Sequence, residues 1–477
     1  MLSACKHLAV KSPPVIVLLA TALGVAAVGA QEESSGTEAS NRPAIKMNRW
    51  QEEWSALQDP ALRTEPLDGL KYIALSDVDR AKFLSLGLTL RERFEFNDAP
   101  ALGTANTKRD SYVLERLQLH ADLHLDRNWR IFTQLEDDRA FEKSVRSSAD
   151  QDRVDLRLAF AEYTNRFPAG TLKARVGRQD FAFDIQRFVS SRDGPNVRQS
   201  FDAVWADWET PDWRFIAFVS EPVQYKDGHD FDDSSNGTFR FHTLRIERHV
   251  LGDNELSAYW SLYERTSAHY GDAAGYERRN VYDARFAGRT EEVDWDAEAM
   301  VQAGRVGAST IRAWNVGART GYTVSELAWQ PRVGLQFDAA SGDRRHGDRV
   351  EGTFNPLFPN GYYFTLASYT GDTNLLQLKP SMTLRPTRGL SIVGAAGFLW
   401  REATADAVYL QPNTPIAGTA GITHRWTGGY TQLRVEYSVD RHIGTALEAV
   451  GYKVGDTVRN AGGRDSTYLG AEFKYSW

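Results

Sequence analysis

Alternation of apolar and polar residues is the dominant pattern of this chain, and it is clearest in the last twelve residues, STYLGAEFKYSW. Side chains on a β-strand alternate between two faces, so one face of this segment carries Leu469, Phe473, Tyr475 and Trp477. An apolar face of this kind is stable when the strand edges are paired and the face lies in lipid. The pattern predicts the closing strand of a membrane barrel, with Trp477 in its aromatic girdle. A strand of a soluble sandwich is the alternative.

The same alternation recurs from Phe83 to the end of the chain, in segments separated by Gly, Asp, Asn and Pro. Clean examples cover residues 117–125, 293–302, 376–385 and 431–439. We count roughly sixteen to twenty such segments, and bacterial single-chain barrels have even strand numbers, so we expect about eighteen strands. The predicted fold class is all-β: an antiparallel transmembrane β-barrel of the outer-membrane type. No compositional break divides residues 81–477, which we assign to one barrel domain.

The N-terminus has the features of a secretory signal peptide. Lys6 and Lys11 precede an apolar run from Val15 to Val28, and Ala30 provides a small residue before the predicted cut. We assign residues 1–30 to the signal and residues 31–80 to a periplasmic or lead-in segment, in which residues 47–57 form a short helix. The single cysteine, Cys5, would leave with the signal, which excludes thiolate metal sites and cysteine nucleophiles.

Composition supports a barrel in the outer membrane of a Gram-negative cell. Aromatic residues make up 12% of the chain and Trp occurs 13 times, although no apolar helix of spanning length follows the signal. The expected surroundings are membrane lipid and lipopolysaccharide. A formal charge of -7 argues against a nucleic-acid partner.

Several stretches resemble the alginate export family of outer-membrane porins. They are residues 65–96, residues 158–188 with a Gly-Arg-Gln motif and a later Gln-Arg pair, ASGD at 340–343, and FNPLFPNGYYF at 354–364. The resemblance implies a monomeric barrel of about eighteen strands. It also implies an arginine-lined lumen, through which founding members pass the acidic polysaccharide alginate outward. Broader members with the FNPLFP segment need not carry alginate.

Positively charged residues on the predicted inner faces are the candidate pore-lining residues. Arginine binds carboxylates through a planar fork and stays charged at any relevant pH. Alternation along the strands nominates Arg91, Arg93, Arg116, Arg130, Arg157, Lys173, Arg175, Arg285, Arg319, Arg332, Arg385 and Arg434. The family-like stretches add Arg178 and Arg187.

Acidic residues on the same faces support a second interpretation, in which arginines and carboxylates pair across strands and brace a wet lumen. These residues are Asp122, Glu136, Asp155, Asp294, Asp296, Glu298, Asp338, Glu436 and Glu472. Asp294, Asp296 and Glu298 share one strand face and predict an acidic, cation-attracting wall.

The segment from Ala340 to Tyr363 is a predicted loop with apolar residues that water would disfavour. We expect it to fold into the barrel or against its rim as a gate, with Phe354, Asn355, Pro356, Leu357, Phe358 and Pro359 as gating residues. The alternative is a loop packed on itself.

The sequence contains no catalytic motif, so we expect no enzyme and assign no catalytic residue. No cofactor or metal site is assigned. His229, Asp230, Asp232 and Asp233 could bind calcium at a loop tip, although their spacing matches no dedicated calcium loop. A solvated acidic loop is the alternative. The expected function is an outer-membrane channel for an anionic saccharide or another organic anion. The alternatives are a general or uptake porin for small solutes, and an outer-membrane enzyme or adhesion barrel. Periplasmic export or uptake partners are left open.

Overall fold

A computed structural model describes residues 42–104, 109–250 and 254–477 of the chain. The predicted signal peptide, residues 1–30, and the first part of the lead-in segment lie outside the described residues. Within the described residues, no helix is long and apolar enough to cross a membrane.

Eighteen long strands dominate the described chain, and we number them β1 to β18 in chain order. Their bounds are β1 Phe83–Asn97, β2 Asp110–His124, β3 Trp129–Phe141, β4 Asp152–Phe167, β5 Gly170–Gln179, β6 Phe201–Glu209, β7 Trp213–Gln224, β8 Phe239–Val250, β9 Asn254–His269, β10 Ala274–Arg289, β11 Val293–Val306, β12 Ser309–Thr323, β13 Arg332–Ala340, β14 Leu375–Thr387, β15 Leu390–Trp400, β16 Trp426–Ser438, β17 Ile443–Val454 and β18 Ser466–Ser476.

Shorter elements complete the described structure. Two-residue strands are Ile73–Ala74, Ser234–Ser235, Val350–Glu351, Tyr409–Leu410 and Thr414–Pro415. The α-helices are Asp68–Lys71 and Asp456–Asn460, and the 3-10 turns are Arg49–Gln51, Ser55–Gln58, Pro60–Leu62 and Pro100–Gly103. The helix predicted over residues 47–57 is therefore two separate 3-10 turns, each shorter than the cooperative length of an α-helix.

The strands form one closed antiparallel barrel. Each strand pairs with its neighbours in sequence, and β18 pairs with β1, where Tyr475 lies opposite Leu90 and Glu472 opposite Arg93. Closure leaves no free sheet edge, as a barrel in lipid requires. The predicted fold class and the strand number are confirmed.

Alternation along the strands separates an apolar outer face from a polar inner face. Leu119, Val301 and Leu469 on the outer face are 45%, 55% and 46% exposed, as expected of side chains that face lipid. Thr89 and Arg91 on the inner face of β1 are buried inside the barrel.

Connections differ between the two ends of the barrel. At the short-turn end, residues 125–128, 168–169 and 388–389 join consecutive strands, whereas at the long-loop end the connections include residues 180–200 and 341–374. We call residues 180–200 the first inner loop and residues 341–374 the second inner loop, because both fold into the lumen. A parallel bridge between Val189 and Phe358 joins them.

Phe358 fixes the second inner loop to the barrel wall. Its ring lies 5.0 Å from that of Phe201, 5.6 Å from that of Phe239 and 5.1 Å from that of Phe241, on strands β6 and β8. Phe354 of the same loop is fully buried. Burial of two aromatic side chains stabilises the inward position of the loop by roughly 4 kcal/mol before ordering costs.

The lead-in segment occupies the short-turn mouth of the barrel. Ile73 and Ala74 pair with Leu84 and Phe83, the part of β1 that extends beyond the end of β18. The main-chain oxygen of Trp50 accepts a hydrogen bond of 2.9 Å from Arg130 on the inner face of β3. The segment therefore covers the seam and reaches into the lumen.

Arg49 anchors this segment to the seam, and we predict that Arg49→Gln destabilises the barrel. The buried guanidinium donates to the main-chain oxygens of Leu88 and Trp477 at 3.1 and 2.7 Å and pairs with Glu52 at 2.7 Å. Removing one partner of a buried ion pair costs about 3 kcal/mol, so the temperature of thermal unfolding, followed by circular dichroism, should fall. Lys82→Gln, at a half-exposed position with a loose 3.9 Å ion pair, is the control. Equal unfolding temperatures for the two variants would contradict the anchoring role.

Candidate functional site

Most of the predicted pore-lining cations lie on the inner face of the barrel. The strand alternation places these there: Arg91, Arg93, Arg116, Arg130, Arg157, Lys173, Arg175, Arg285, Arg319, Arg332, Arg385 and Arg434. Arg187 lies in the first inner loop, inside the lumen. Arg178 follows the outward-facing Val176 by two residues and pairs with Asp202 at 3.0 Å on the other face of the sheet.

Arg93 is the centre of an ion-pair network on the wall made by β1 and β16 to β18. Its guanidinium is fully buried and lies 2.6 Å from Glu95, 2.5 Å from Glu448 and 3.1 Å from Glu472. Arg91 shares Glu472 at 2.8 Å. Neighbouring Arg434 pairs with Glu448 and, at 2.5 Å, with Glu436. Each charged side chain in this network therefore has an opposite charge beside it.

Arg116 and Arg157 hold the first inner loop against the wall. Arg116 pairs with Asp193 at 2.7 Å and donates to the main-chain oxygen of Asn196 at 2.7 Å, and Arg157 pairs with Asp180 at 2.8 Å. Burial alone would raise the pKa of Asp193, but Arg116 and Arg198 beside it hold that pKa well below its ordinary value. The carboxylate of Asp193 therefore stays charged over the physiological pH range.

Three further cations have partners on neighbouring strands or in the lead-in segment. Arg130 pairs with Glu162 at 3.2 Å, and Arg175 pairs with the same carboxylate. Arg175 also stacks on the ring of Trp50, with its guanidinium carbon 4.2 Å from the ring centroid. Lys173 lies 3.6 Å from Glu209 near the short-turn end.

Arg187 joins both inner loops to the predicted acidic face of β11. It pairs with Glu298, and its nitrogens lie 3.5 Å from Asp296 and 3.7 Å from Asp338. It also donates to the hydroxyl of Tyr363 at 2.7 Å, which in turn donates to Asp338 at 2.9 Å. The acidic face is thus occupied by a cation from a distant loop.

Arg285 and Arg332 compensate the remainder of that acidic face. Arg285 lies 2.7 Å from Asp296 and 2.8 Å from Asp184 of the first inner loop. Arg332 pairs with Asp294 at 2.5 Å, and this pair is more open to water than the pair that Arg187 makes. The acidic wall predicted from Asp294, Asp296 and Glu298 is therefore largely neutralised.

The predicted gating residues lie inside the barrel, in the second inner loop. Phe354, Asn355, Pro356 and Phe358 are buried, and Asn355 exchanges two hydrogen bonds with the side chain of Gln302 on β11, at 3.0 and 2.7 Å. Leu357 is half-buried and Pro359 is buried. The segment narrows the lumen from the long-loop side.

A group of cations with few carboxylate partners lies below these loops, on strands β12 to β14. Arg319, Gln336 and Lys379 are register neighbours on the inner face, so their side chains form one row across three strands. Arg319 is exposed, and among the described residues no carboxylate lies within ion-pair distance of it. The ammonium of Lys379 donates to the main-chain oxygens of Tyr363 and Phe364 at 3.2 and 2.7 Å.

Small residues make room beside this row. Gly321, Gly334 and Ser381 are the next inner positions towards the short-turn end. Arg332 follows Gly334 on β13, and Arg385 lies one inner position beyond Thr383 on β14. We call Arg319, Arg332, Lys379 and Arg385 the basic wall. Lys379 was not among the sequence candidates, although it shares the polar face of β14 with Arg385, so the alternation itself could have identified it.

This architecture defines the class of the protein. A closed eighteen-stranded barrel with an apolar outer face, a charged lumen and inward-folded loops is an outer-membrane channel of the porin type. The family model for alginate export matches residues 82–472, and the chain belongs to the alginate export family. It is located in the Gram-negative outer membrane, where its outer face contacts lipid.

Solved outer-membrane porins share the fold. The chain is similar to OccAB1 of Acinetobacter baumannii (TM-score 0.55, 12% identity, 86% of this chain and 99% of that chain). It is similar to OpdK of Pseudomonas aeruginosa (TM-score 0.54, 11% identity, 83% and 99%). It is also similar to OccK2 (OpdF) of Pseudomonas aeruginosa in complex with glucuronate (TM-score 0.52, 13% identity, 82% and 96%). No curated protein sequence matches the chain.

We predict that Arg187→Gln loosens both inner loops and raises channel conductance. The variant leaves Glu298 and Asp338 buried without their cation, which costs about 3 to 5 kcal/mol, and it removes the donor to Tyr363. Single-channel recording in planar bilayers should show larger and noisier openings than in the parent. Arg345→Gln, at an exposed site of the second inner loop, is the control. Unchanged conductance in Arg187→Gln would show that this network does not hold the loops.

Proposed function

We propose that this protein is an outer-membrane channel that passes an acidic saccharide or another organic anion along the basic wall. The observation that carries the proposal is the row formed by Arg319 and Lys379, because neither cation has a carboxylate within ion-pair distance among the described residues. Membership of the alginate export family and a porin-type barrel support it. The similar barrel OccK2 was solved with glucuronate, a uronic acid anion, which favours this class of solute.

The inner cations divide into two groups with different roles. Arg93, Arg116, Arg157 and Arg187 are buried and paired, and breaking such pairs to bind a solute would leave carboxylates unpaired in a poorly hydrated interior. We infer that they brace the lumen and its loops. Within the basic wall, Arg319 is exposed and Arg332 and Arg385 are half-buried, so these three retain access to water and contact the passing anion. Lys379 is buried, and it adds its positive charge from behind them.

The wall is suited to transfer rather than to tight capture. Successive inner positions on one strand lie about 7 Å apart, because every second residue faces inward. An anion can therefore reach the next row before it has fully left the previous one, and conduction requires such a series of moderate contacts. Guanidinium groups favour carboxylates, since they offer two parallel donors.

Two carboxylates favour a second candidate, a general or uptake porin for small solutes. Asp294 beside Arg332 and Glu436 beside Arg434 have side chains that are 41% and 48% exposed. A lumen that presents both signs of charge would discriminate weakly between anions and cations. Ion selectivity separates this candidate from the anion channel.

We predict that the double variant Arg319→Gln with Lys379→Gln loses anion preference. Each cation contributes on the order of 1 kcal/mol to an anion a few ångströms away, so the permeability ratio of chloride to potassium should fall by about fivefold or more. The measurement is the reversal potential of single channels in a potassium chloride gradient. Sodium glucuronate should block chloride current in the parent and block it less in the variant.

Arg278→Gln is the matched control, because it removes one positive charge from the outer face of β10, where the side chain is 62% exposed and lies 3.4 Å from Glu264. Cation selectivity in the parent would refute the anion channel. Equal selectivity in the parent and the double variant would show that the basic wall is not the selective element.

A further inference from the structure

Three carboxylates from two separate parts of the chain converge at the long-loop rim. Asp152 is the first residue of β4, and Asp232 and Asp233 belong to the connection between β7 and β8, residues 225–238. One carboxylate oxygen from each residue lies within 4.8 Å of the other two. At this spacing one cation could contact an oxygen of all three residues.

Main-chain hydrogen bonds hold the connection in this position. The amide of Phe231 donates to the main-chain oxygen of Val154 at 3.0 Å, and the amide of Asp233 donates to the carboxylate of Asp155 at 3.0 Å. The amide of His229 donates to one carboxylate oxygen of Asp232 at 2.9 Å, which fixes that side chain. The convergence therefore does not depend on attraction between the acidic groups.

One oxygen of the buried Asp152 carboxylate has no hydrogen-bond partner. The residue is 5% exposed, and its Oδ1 atom has no hydrogen-bond donor. The Oδ1 atom of Asp232 is likewise buried without a donor. Within the described parts of the chain, no lysine or arginine nitrogen lies within 4.0 Å of any of the three carboxylates. Buried carboxylates without compensation are costly, so the arrangement requires a cation or protons.

We propose that Asp152, Asp232 and Asp233 bind one calcium ion. All three ligands are hard oxygen donors with no histidine or cysteine among them, and calcium accepts irregular sets of carboxylate and carbonyl oxygens. Magnesium requires a stricter octahedron and retains its water. The long-loop end of an outer-membrane barrel faces the outside of the cell, so a site of modest affinity suffices.

Protons are the competing occupants, because a carboxylate that is buried without a cation is stabilised by protonation.

Calcium at this site would couple the outer rim to the narrowing of the lumen. Ala149 and Asp150, just before Asp152 in the chain, accept hydrogen bonds from the first inner loop through their main-chain oxygens. The side chain of Asn196 donates to the main-chain oxygen of Asp150 at 3.1 Å, and the amide of Val197 donates to that of Ala149 at 3.0 Å. An ion that ties Asp152 to the 225–238 connection restrains the strand end on which the first inner loop rests.

The proposal is tested by isothermal titration calorimetry with calcium chloride as the probe. The full chain is kept in detergent, and bound metal is first removed with EGTA. We expect one calcium ion per chain with a Kd on the order of 0.1 to 1 mM, and a higher unfolding temperature in 10 mM calcium than in 10 mM magnesium. No calcium binding, or equal stabilisation by the two metals, would overturn the proposal.

Two variants on different segments locate the site. Calcium binding should weaken at least tenfold in the single variant Asp152→Asn and also in the double variant Asp232→Asn with Asp233→Asn. The control is Asp230→Asn, at an exposed position of the same connection, which should bind calcium like the parent. Binding that survives both acidic-site variants would place the ion elsewhere and refute the assignment. A third outcome would also refute the assignment: the parent binds no calcium, and the variants unfold at a higher temperature than the parent. The three carboxyl groups would then share protons instead of a metal ion.

Discussion

Closure of the sheet by pairing of β18 with β1 is the constraint on which the rest of the structure depends. In lipid every main-chain donor and acceptor of a strand needs a partner, and only a closed ring supplies them all. Closure also forces each strand to place one residue in two towards the lumen. The charged residues that the outer face cannot hold are thereby concentrated inside, where arginines such as Arg93 and carboxylates such as Glu472 must compensate one another.

The inner loops occupy their positions for two physical reasons that act together. Aromatic packing of Phe358 against β6 and β8 stabilises the inward position of the second inner loop but does not fix its orientation. Ion pairs of Arg116 and Arg187 fix the orientation of the loops, because they need specific partners. A loop held only by apolar contacts could slide along the wall. A loop held only by charges would bury carboxylates at a cost, so the combination gives a lumen that is narrow and well ordered.

The sequence alone predicts the parts of this structure that depend on local periodicity. Alternation correctly places Arg91 and Arg434 on the inner face and identifies the barrel with its strand number. Arg178 came from a motif rather than from alternation, and it lies on the other face. The partners of each arginine come from strands or loops far away in sequence, as in the pair of Arg93 with Glu448, so periodicity cannot reveal them. The same holds for Asp152, which only the closed barrel brings to Asp232 and Asp233.

A net charge of -7 is compatible with a lumen that favours anions, because the field along a pore depends on the charges that remain uncompensated near the path. Buried pairs such as Arg157 with Asp180 contribute nearly nothing at a distance, since their opposite charges lie 2.8 Å apart. Arg319 and Lys379 have no such neighbour within ion-pair distance among the described residues. In a narrow space with low-dielectric walls, these few charges weigh more than the many that are paired. The field along the path therefore depends on which inner charges have no opposite charge beside them, and the total number of arginines on the wall is a poor guide to it.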